Sequence, residues 1–217
     1  MILRWTSGVR VAIFPVPDFN GRRRSFALEE FDPFWSKVSE AGILVGMHAS
    51  DDGQQRYLND WNGITKEFEP FSRRYTGFDV LLHADNRGIS DVVSSIIGHG
   101  PASRFPDISF MPVENGSAWV RPLVERMQKT YERTPDLFDE DPFAVLKRNF
   151  LIHPFHEEDP IGLIDVVGID TVVFGSDYPH PEGLFDPVTW VDNLDGLSEE
   201  DQAKVMGGNL ARAMQLA

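Results

Sequence analysis

Apolar residues along the chain come in short runs rich in β-branched side chains, each ending abruptly in a polar residue, and these runs alternate with stretches of helical spacing. Residues 9–16 read as a first strand ending in the turn chemistry of Pro17-Asp18-Phe19-Asn20-Gly21. Residues 43–49 predict a second strand, 108–114 a third with an internal proline that marks an irregular ladder, and 149–153 a fourth. A fifth run, Thr171-Val172-Val173-Phe174, stops at Gly175-Ser176-Asp177. Between them lie helical patterns. Asp32-Pro33 reads as an N-cap followed by Phe34, Trp35, Val38 and Ala41, with a stop at Gly42. Leu81-Leu82-His83 precedes a second pattern through Val92, Val93, Ile96 and Ile97, stopped by Gly98-His99-Gly100-Pro101, and Arg104-Phe105-Pro106-Asp107 reads as a turn. Trp119, Val120, Leu123, Val124 and Met127 share one face of a helix over about 117–132. A short segment over 143–146 and an apolar helix ending at Gly168 follow. Asp186-Pro187 predicts a further cap, Ser198-Glu199-Glu200 another, and Gly207-Gly208 ends that helix before Asn209 starts the last. Residues 50–76 are polar and aromatic with weak periodicity, and only 64–75 carry a helical pattern.

Strands that are continuous apolar runs, separated by helices, predict parallel βα units covered on both faces, an α/β architecture. At 217 residues the expectation is one domain over the whole chain, residues 1–217. The net charge of -14 and the lack of a basic run beyond Arg22-Arg23-Arg24 argue against a nucleic-acid or anionic-membrane partner, since both attract clustered Lys and Arg. No apolar run approaches the roughly 20 residues that span a bilayer. The absence of cysteine excludes disulfides and thiolate metal sites, leaves His and carboxylates as candidate ligands, and fits a cytoplasmic protein.

The polar ends of the predicted strands are His48, Glu114 and Asp177. In a parallel sheet or barrel the carboxyl ends share one rim and face the ligand, so these three side chains are expected to meet there. Asp177 runs into a proline-locked turn carrying His180, placed to orient a substrate or hydrogen-bond a ligand. The plainer alternatives are a loop aspartate capping its own turn and a surface histidine. His153, at the end of the fourth run, is either a rim residue or a hydrogen-bonded core histidine, and His83 has the same ambiguity. His99 and His156 read as solvated, as does the acidic stretch 136–141, which lacks the glycine-centred spacing of a calcium loop. Phosphate loops, dinucleotide fingerprints and nucleophile elbows are missing from the sequence.

Taken in order, Gly42-Ile43-Leu44-Val45-Gly46-Met47-His48, Arg104-Phe105-Pro106-Asp107-Ile108, Glu114-Asn115-Gly116-Ser117-Ala118-Trp119-Val120, Phe174-Gly175-Ser176-Asp177-Tyr178-Pro179-His180 and Gly208-Asn209-Leu210-Ala211-Arg212 resemble the amidohydrolase-related family. This is the branch that includes aminocarboxymuconate semialdehyde decarboxylase and related non-oxidative decarboxylases. The resemblance implies a (β/α)8 TIM barrel holding a divalent metal, often zinc, through a His-x-His pair after strand 1, a His after strand 5 and an Asp after strand 8. It makes His48 the strand 5 metal ligand and Asp177 the strand 8 ligand and catalytic proton carrier. Glu114 stands where decarboxylases of the family often carry a His after strand 6; with His180 it is a candidate for substrate binding. Residues 9–16 correspond to strand 4, so the expected fold is a partial barrel of about strands 4 to 8, N-terminally truncated and without the His-x-His pair. The implied activity is that of a metal-dependent hydrolase or decarboxylase, a lyase, acting on a small carboxylate or carbonyl substrate with zinc or manganese. The alternative is a truncated, non-catalytic remnant, or an assembly subunit whose missing strands come from another polypeptide. Open sheet edges in a partial barrel invite association, which predicts a homo-oligomer.

Overall fold

The computed structural model describes residues 11–15, 24–49, 54–64, 76–83, 87–181 and 183–216. Strand β1 (Val11–Pro15), strand β2 (Leu44–His48) and strand β3 (Phe110–Val113) form a parallel sheet in the order β1-β2-β3. Pro15 stands opposite His48, and His48 opposite Val113, so the carboxyl ends are level. The fourth and fifth predicted strands continue this order only as single bridges, Phe110 to Phe150 and Ile152 to Val172. The cause is visible in the backbone. Phe110 O accepts from Leu151 N–H at 2.8 Å, whereas Val113 O accepts from Ala49 N–H on the β2 side. Even-numbered residues of β3 therefore face the fourth segment, and the next of them, Pro112, has no N–H to continue the ladder.

The strands alternate in the face they bury. Val45, Met47, Phe110, Phe150, Ile152 and Val172 belong to a large apolar core, while Leu44, Leu151 and Val173 point the other way into a small one closed by Leu210, Ala213 and Met214. Burial on both faces is why these segments read as unbroken apolar runs. The large core is covered by helix α1 (Asp32–Glu40), helix α4 (Arg87–Gly98), helix α6 (Val120–Arg133), helix α7 (Pro142–Asn149) and helix α8 (Pro160–Val167). The second face is closed by α10 (Asn209–Ala213), entered from α9 (Glu199–Ala203) through a π turn at Lys204–Gly208. Three buried asparagines tie strand ends to neighbouring loops, each donating twice through Nδ2: Asn149 to Pro106 O and Ile108 O, Asn115 to Met47 O and Val113 O, and Asn209 to Ile169 O and Val172 O.

Some local readings need correction. Asp32 is the first residue of α1 and not its cap; Phe31 precedes the helix without a side-chain cap, and the Asp32 carboxylate instead takes a two-pronged hydrogen bond from Arg104, at 2.7 and 2.8 Å. That places an anion in the first turn, where the helix dipole favours it. Asp186 likewise makes no side-chain cap; its carbonyl accepts from Thr189 Oγ1, and Pro187–Leu194 is a 3-10 helix. Ser198 does cap α9, accepting from Asp201 N–H. Within 50–76, helix α2 (Gln54–Trp61) forms, and 65–75 lie outside the described residues. Leu81-Leu82-His83 belongs to α3 (Gly77–His83), opened by a reciprocal Thr76–Asp79 capping box. Arg104 closes the single helical turn α5 (Pro101–Arg104), and the predicted turn follows it over 105–107, where Ile108 N–H donates to Phe105 O.

The acidic stretch before α7 also has a partner. Arg148 grips Glu140 with two hydrogen bonds of 2.7 Å, and these, ahead of the opposing cost of partial burial, hold the Glu140 carboxyl at about 2 against an ordinary 4.5. A depressed carboxyl pKa stabilises the fold above the unfolded value and loses that contribution as pH falls through the folded one. A small stability gap between wild type and Glu140→Gln is therefore expected above pH 4.5, closing as pH falls towards 2. Thermal melts at pH steps across that window check it; a gap constant with pH contradicts it.

Candidate metal centre

His48 is the last residue of β2, and its ring is fixed from both sides. Nδ1 lies 2.7 Å from Ala49 O, an acceptor, so Nδ1 carries a proton. Nε2 lies 2.9 Å from Glu114 Oε2, a contact that needs a proton or a cation between the two atoms. Asp177 and His180 meet in the same way one turn further on, Nδ1 to Oδ1 at 3.2 Å. One ligand atom each from Glu114, Asp177 and His180 lies within 4.8 Å of the others, and His48 joins this group through Glu114. Glu114, Asp177 and His180 thus form one group, while His48, predicted with Asp177 as a metal ligand, reaches it only through Glu114. Imidazole nitrogen and carboxylate oxygen form a donor set suited to zinc or manganese.

Backbone conformation aims these groups. Glu114, just past the end of β3, and Asp177, five residues beyond the Val172 bridge, are both left-handed, with φ of 58° and 54°. That region is uncommon for residues other than glycine, costs on the order of 1 kcal/mol or more, and clusters at functional sites. Around Asp177 the turn is closed by His180 N–H to Asp177 O at 2.9 Å and Leu184 N–H to Ser176 O at 3.0 Å. Gly183 presses against this turn so closely that a Cβ there would lie 2.6 Å from Asp177 O. Only glycine fits.

Two further residues shape the rim. His153 is 9% exposed, and its Nε2 accepts Glu114 N–H at 2.9 Å while Nδ1 faces Pro154 O at 3.3 Å. The ring is therefore neutral with its proton on Nδ1; burial pushes its pKa down, against the pull of Pro154 O and of Glu158, Asp177 and Glu114. Both nitrogens are occupied by backbone, so His153 is a buried histidine that lines the cleft beside Glu114 without a ring nitrogen to spare. Glu158 knots two loops: Oε2 accepts from Phe155 N–H (2.7 Å), Ser117 N–H (2.8 Å) and Ser117 Oγ (3.0 Å), and Oε1 from Ala118 N–H (3.1 Å). Gly116, at φ +56°, lets Phe155 lie against it, since a Cβ would stand 2.5 Å from the ring.

Beside Glu114 and Asp177 is a cleft of about 270 Å³, lined also by His153, Gly175, Ser176, Phe155, His156 and Glu157 but not by His48 or His180. His156, read from the sequence as solvated, is half-buried in this wall, with Nδ1 3.3 Å from Glu157 Oε2. The sequence also gave no reason to single out Glu158 from its acidic neighbours. His99 and His83 belong to other parts of the chain, and nothing is described of the His83 side chain.

The family model for amidohydrolases matches residues 6–214. The chain belongs to the amidohydrolase family. Among solved structures it is similar to an amidohydrolase from Mycobacterium avium subsp. paratuberculosis K-10, with 34% identity and a TM-score of 0.85 over 95% of this chain and 51% of that one. Weaker likeness, in fold alone, extends to the 5-carboxyvanillate decarboxylase of Sphingomonas paucimobilis (20% identity, TM-score 0.63, 89% of this chain and 56% of that one). It extends also to a dihydroxybenzoic acid decarboxylase from Polaromonas sp. JS666, solved with manganese and the inhibitor 2-nitroresorcinol (17%, TM-score 0.62, 88% and 55%). The chain thus spans a little over half the length of these amidohydrolase-fold proteins. Its α/β fold is that of the family, and no helix among the described residues is long and apolar enough to cross a membrane.

Proposed function

We propose that the chain carries the metal-binding rim of a metal-dependent hydrolase or non-oxidative decarboxylase acting on a small carboxylate or carbonyl compound, with its three strands and two bridged segments standing for strands 4 to 8 of a barrel. The observation that carries this reading is the group of ligand atoms from Glu114, Asp177 and His180 within 4.8 Å of one another, with His48 against Glu114 at the end of β2. The fold likeness to decarboxylases, one solved with manganese, supports it.

In this reading Glu114, which contacts His48 and lies in the same 4.8 Å group as Asp177, joins these two in holding a zinc or manganese ion, which when bound supplies Lewis-acid polarisation of a substrate oxygen. Asp177 Oδ1 takes and returns a proton at the reacting group, and His180, 3.2 Å away, orients that carboxylate and faces solvent for proton exchange. Glu114, paired with His48, also lines the cleft that would take the substrate. Phe155 and the half-buried His156 share that lining, and its volume limits the ligand to a small molecule.

Metal analysis tests the proposal. Gently purified wild type is expected to retain about one zinc or manganese per chain, and His48→Ala and Asp177→Ala to weaken binding by about tenfold to a hundredfold or more, since such sites depend on each of a few ligands. Wild type with no affinity for either metal, or variants that bind as well as wild type, would overturn it and favour the non-catalytic remnant.

A further inference from the structure

The left-handed turn at Glu114 brings its carboxylate to His48, and the turn is spanned locally by Asn115, whose Nδ2 donates to Val113 O and to Met47 O. A second contact, on the strained peptide itself, comes from 39 residues away. Glu114 N–H donates to His153 Nε2 at 2.9 Å, and the ring that accepts it is itself immobilised. Its other nitrogen faces Pro154 O, and its flank lies against Gly175, where a Cβ would approach Nδ1 to 3.0 Å and the other ring atoms to 3.2 and 3.3 Å. The imidazole thus sits between three consecutive strand ends, those that carry Glu114, His153 itself and Gly175.

We propose that His153 is a positioning residue that holds Glu114 in its left-handed turn, and so keeps the Glu114 carboxylate on the candidate metal centre, through the Glu114 N–H···Nε2 hydrogen bond. The consequence for the site rests on the metal-centre reading above; the positioning itself does not. Since both ring nitrogens are engaged with backbone, His153 neither binds the metal nor moves a proton to substrate. Gly175 belongs to the same device, because a Cβ there would stand 3.0 Å from Nδ1 and press the ring to shift by a few tenths of an ångström relative to the Glu114 amide.

Two readouts test it on the full chain: hydrogen exchange of the Glu114 amide, followed by NMR, and manganese affinity by calorimetry. His153→Leu keeps the volume and removes the acceptor. It is expected to speed Glu114 amide exchange at least about tenfold, leaving the α4 amides protected, as loss of a local hydrogen bond does. Manganese affinity is expected to fall about tenfold to a hundredfold, the usual loss when a partner that orients a ligand is removed. His153→Gln, whose Oε1 can accept the same N–H, should restore most of both. Gly175→Ala, which crowds the ring without touching its chemistry, should move both readouts in the direction of His153→Leu. A folded His153→Leu with wild-type amide exchange and manganese affinity overturns the proposal; if that variant fails to fold, unchanged readouts in Gly175→Ala do so. Wild type that binds no manganese defeats the metal-centre reading, while the amide exchange still decides whether His153 positions Glu114.

Discussion

Trp35→Ala is expected to destabilise the protein by about 3–5 kcal/mol, the range for removing a fully buried tryptophan that the surroundings cannot collapse onto. Trp35 is 1% exposed, on the core face of α1. Its ring centroid lies 4.7 Å from Phe26, 5.1 Å from Phe34 and 5.5 Å from Phe110, and Nε1–H donates to Phe26 O at 3.1 Å. Phe110 in turn stacks on Phe150 at 5.2 Å. The cavity would therefore open between α1 and the strand that leads to Glu114, where aromatic rings, unlike flexible methionines, cannot flow in to fill it. Trp35→Phe keeps most contacts and loses the hydrogen bond, so a smaller cost of about 1–2 kcal/mol is expected. Urea denaturation midpoints for the two variants check this; a loss below about 1 kcal/mol for Trp35→Ala would mean that the aromatic cluster is not packed as described.

The second large effect is expected at Glu158. Its carboxylate satisfies three backbone N–H groups and one hydroxyl across two loops, and the hydrogen bonds are charge-assisted. Glu158→Ala leaves those donors to water or to nothing, with an expected loss of about 2–4 kcal/mol, less than the sum of four such bonds because Ala118 and part of the loop are open to solvent. Glu158→Gln is the sharper test. It keeps one acceptor oxygen but turns an NH2 group towards N–H donors, so at least half of the loss should remain, whereas a role for Glu158 as mere filler predicts almost none. The same variants should loosen Phe155 against Gly116, and with it the wall of the cleft. Chemical denaturation measures the first effect, and quenching of an aromatic ligand's fluorescence in the cleft, or its absence, the second.

Much of this was legible in the chain because it is written at short range. The second and third strands and most of the helices lie within a few residues of their predicted places, since apolar runs and helical spacing are properties of neighbouring residues. Pro112 signalled an irregular ladder, and the irregularity is real. The errors fell on capping aspartates: Asp32-Pro33 and Asp186-Pro187 are the same dipeptide, but Arg104 reached the first from 72 residues away and took its carboxylate for an ion pair. No local pattern contains that competitor.

The sequence by itself determined a parallel α/β order and a rim carrying His48, Glu114 and Asp177, because strand direction and the point where apolar character stops are both fixed by local residue types. Only the tertiary structure decided how those groups are held. His153 was open between rim and core until Glu114 N–H was found on its Nε2, and Glu158 was one acid among several until loop 116–118 was found folded onto it. His156 moved from solvent to the cleft wall for the same reason. Each of these roles depends on which segments become neighbours and on how tightly Gly116, Gly175 and Gly183 let backbone and rings approach, and these are distances between segments 22 to 41 residues apart or, for Gly183, across a turn whose closure needs the whole loop.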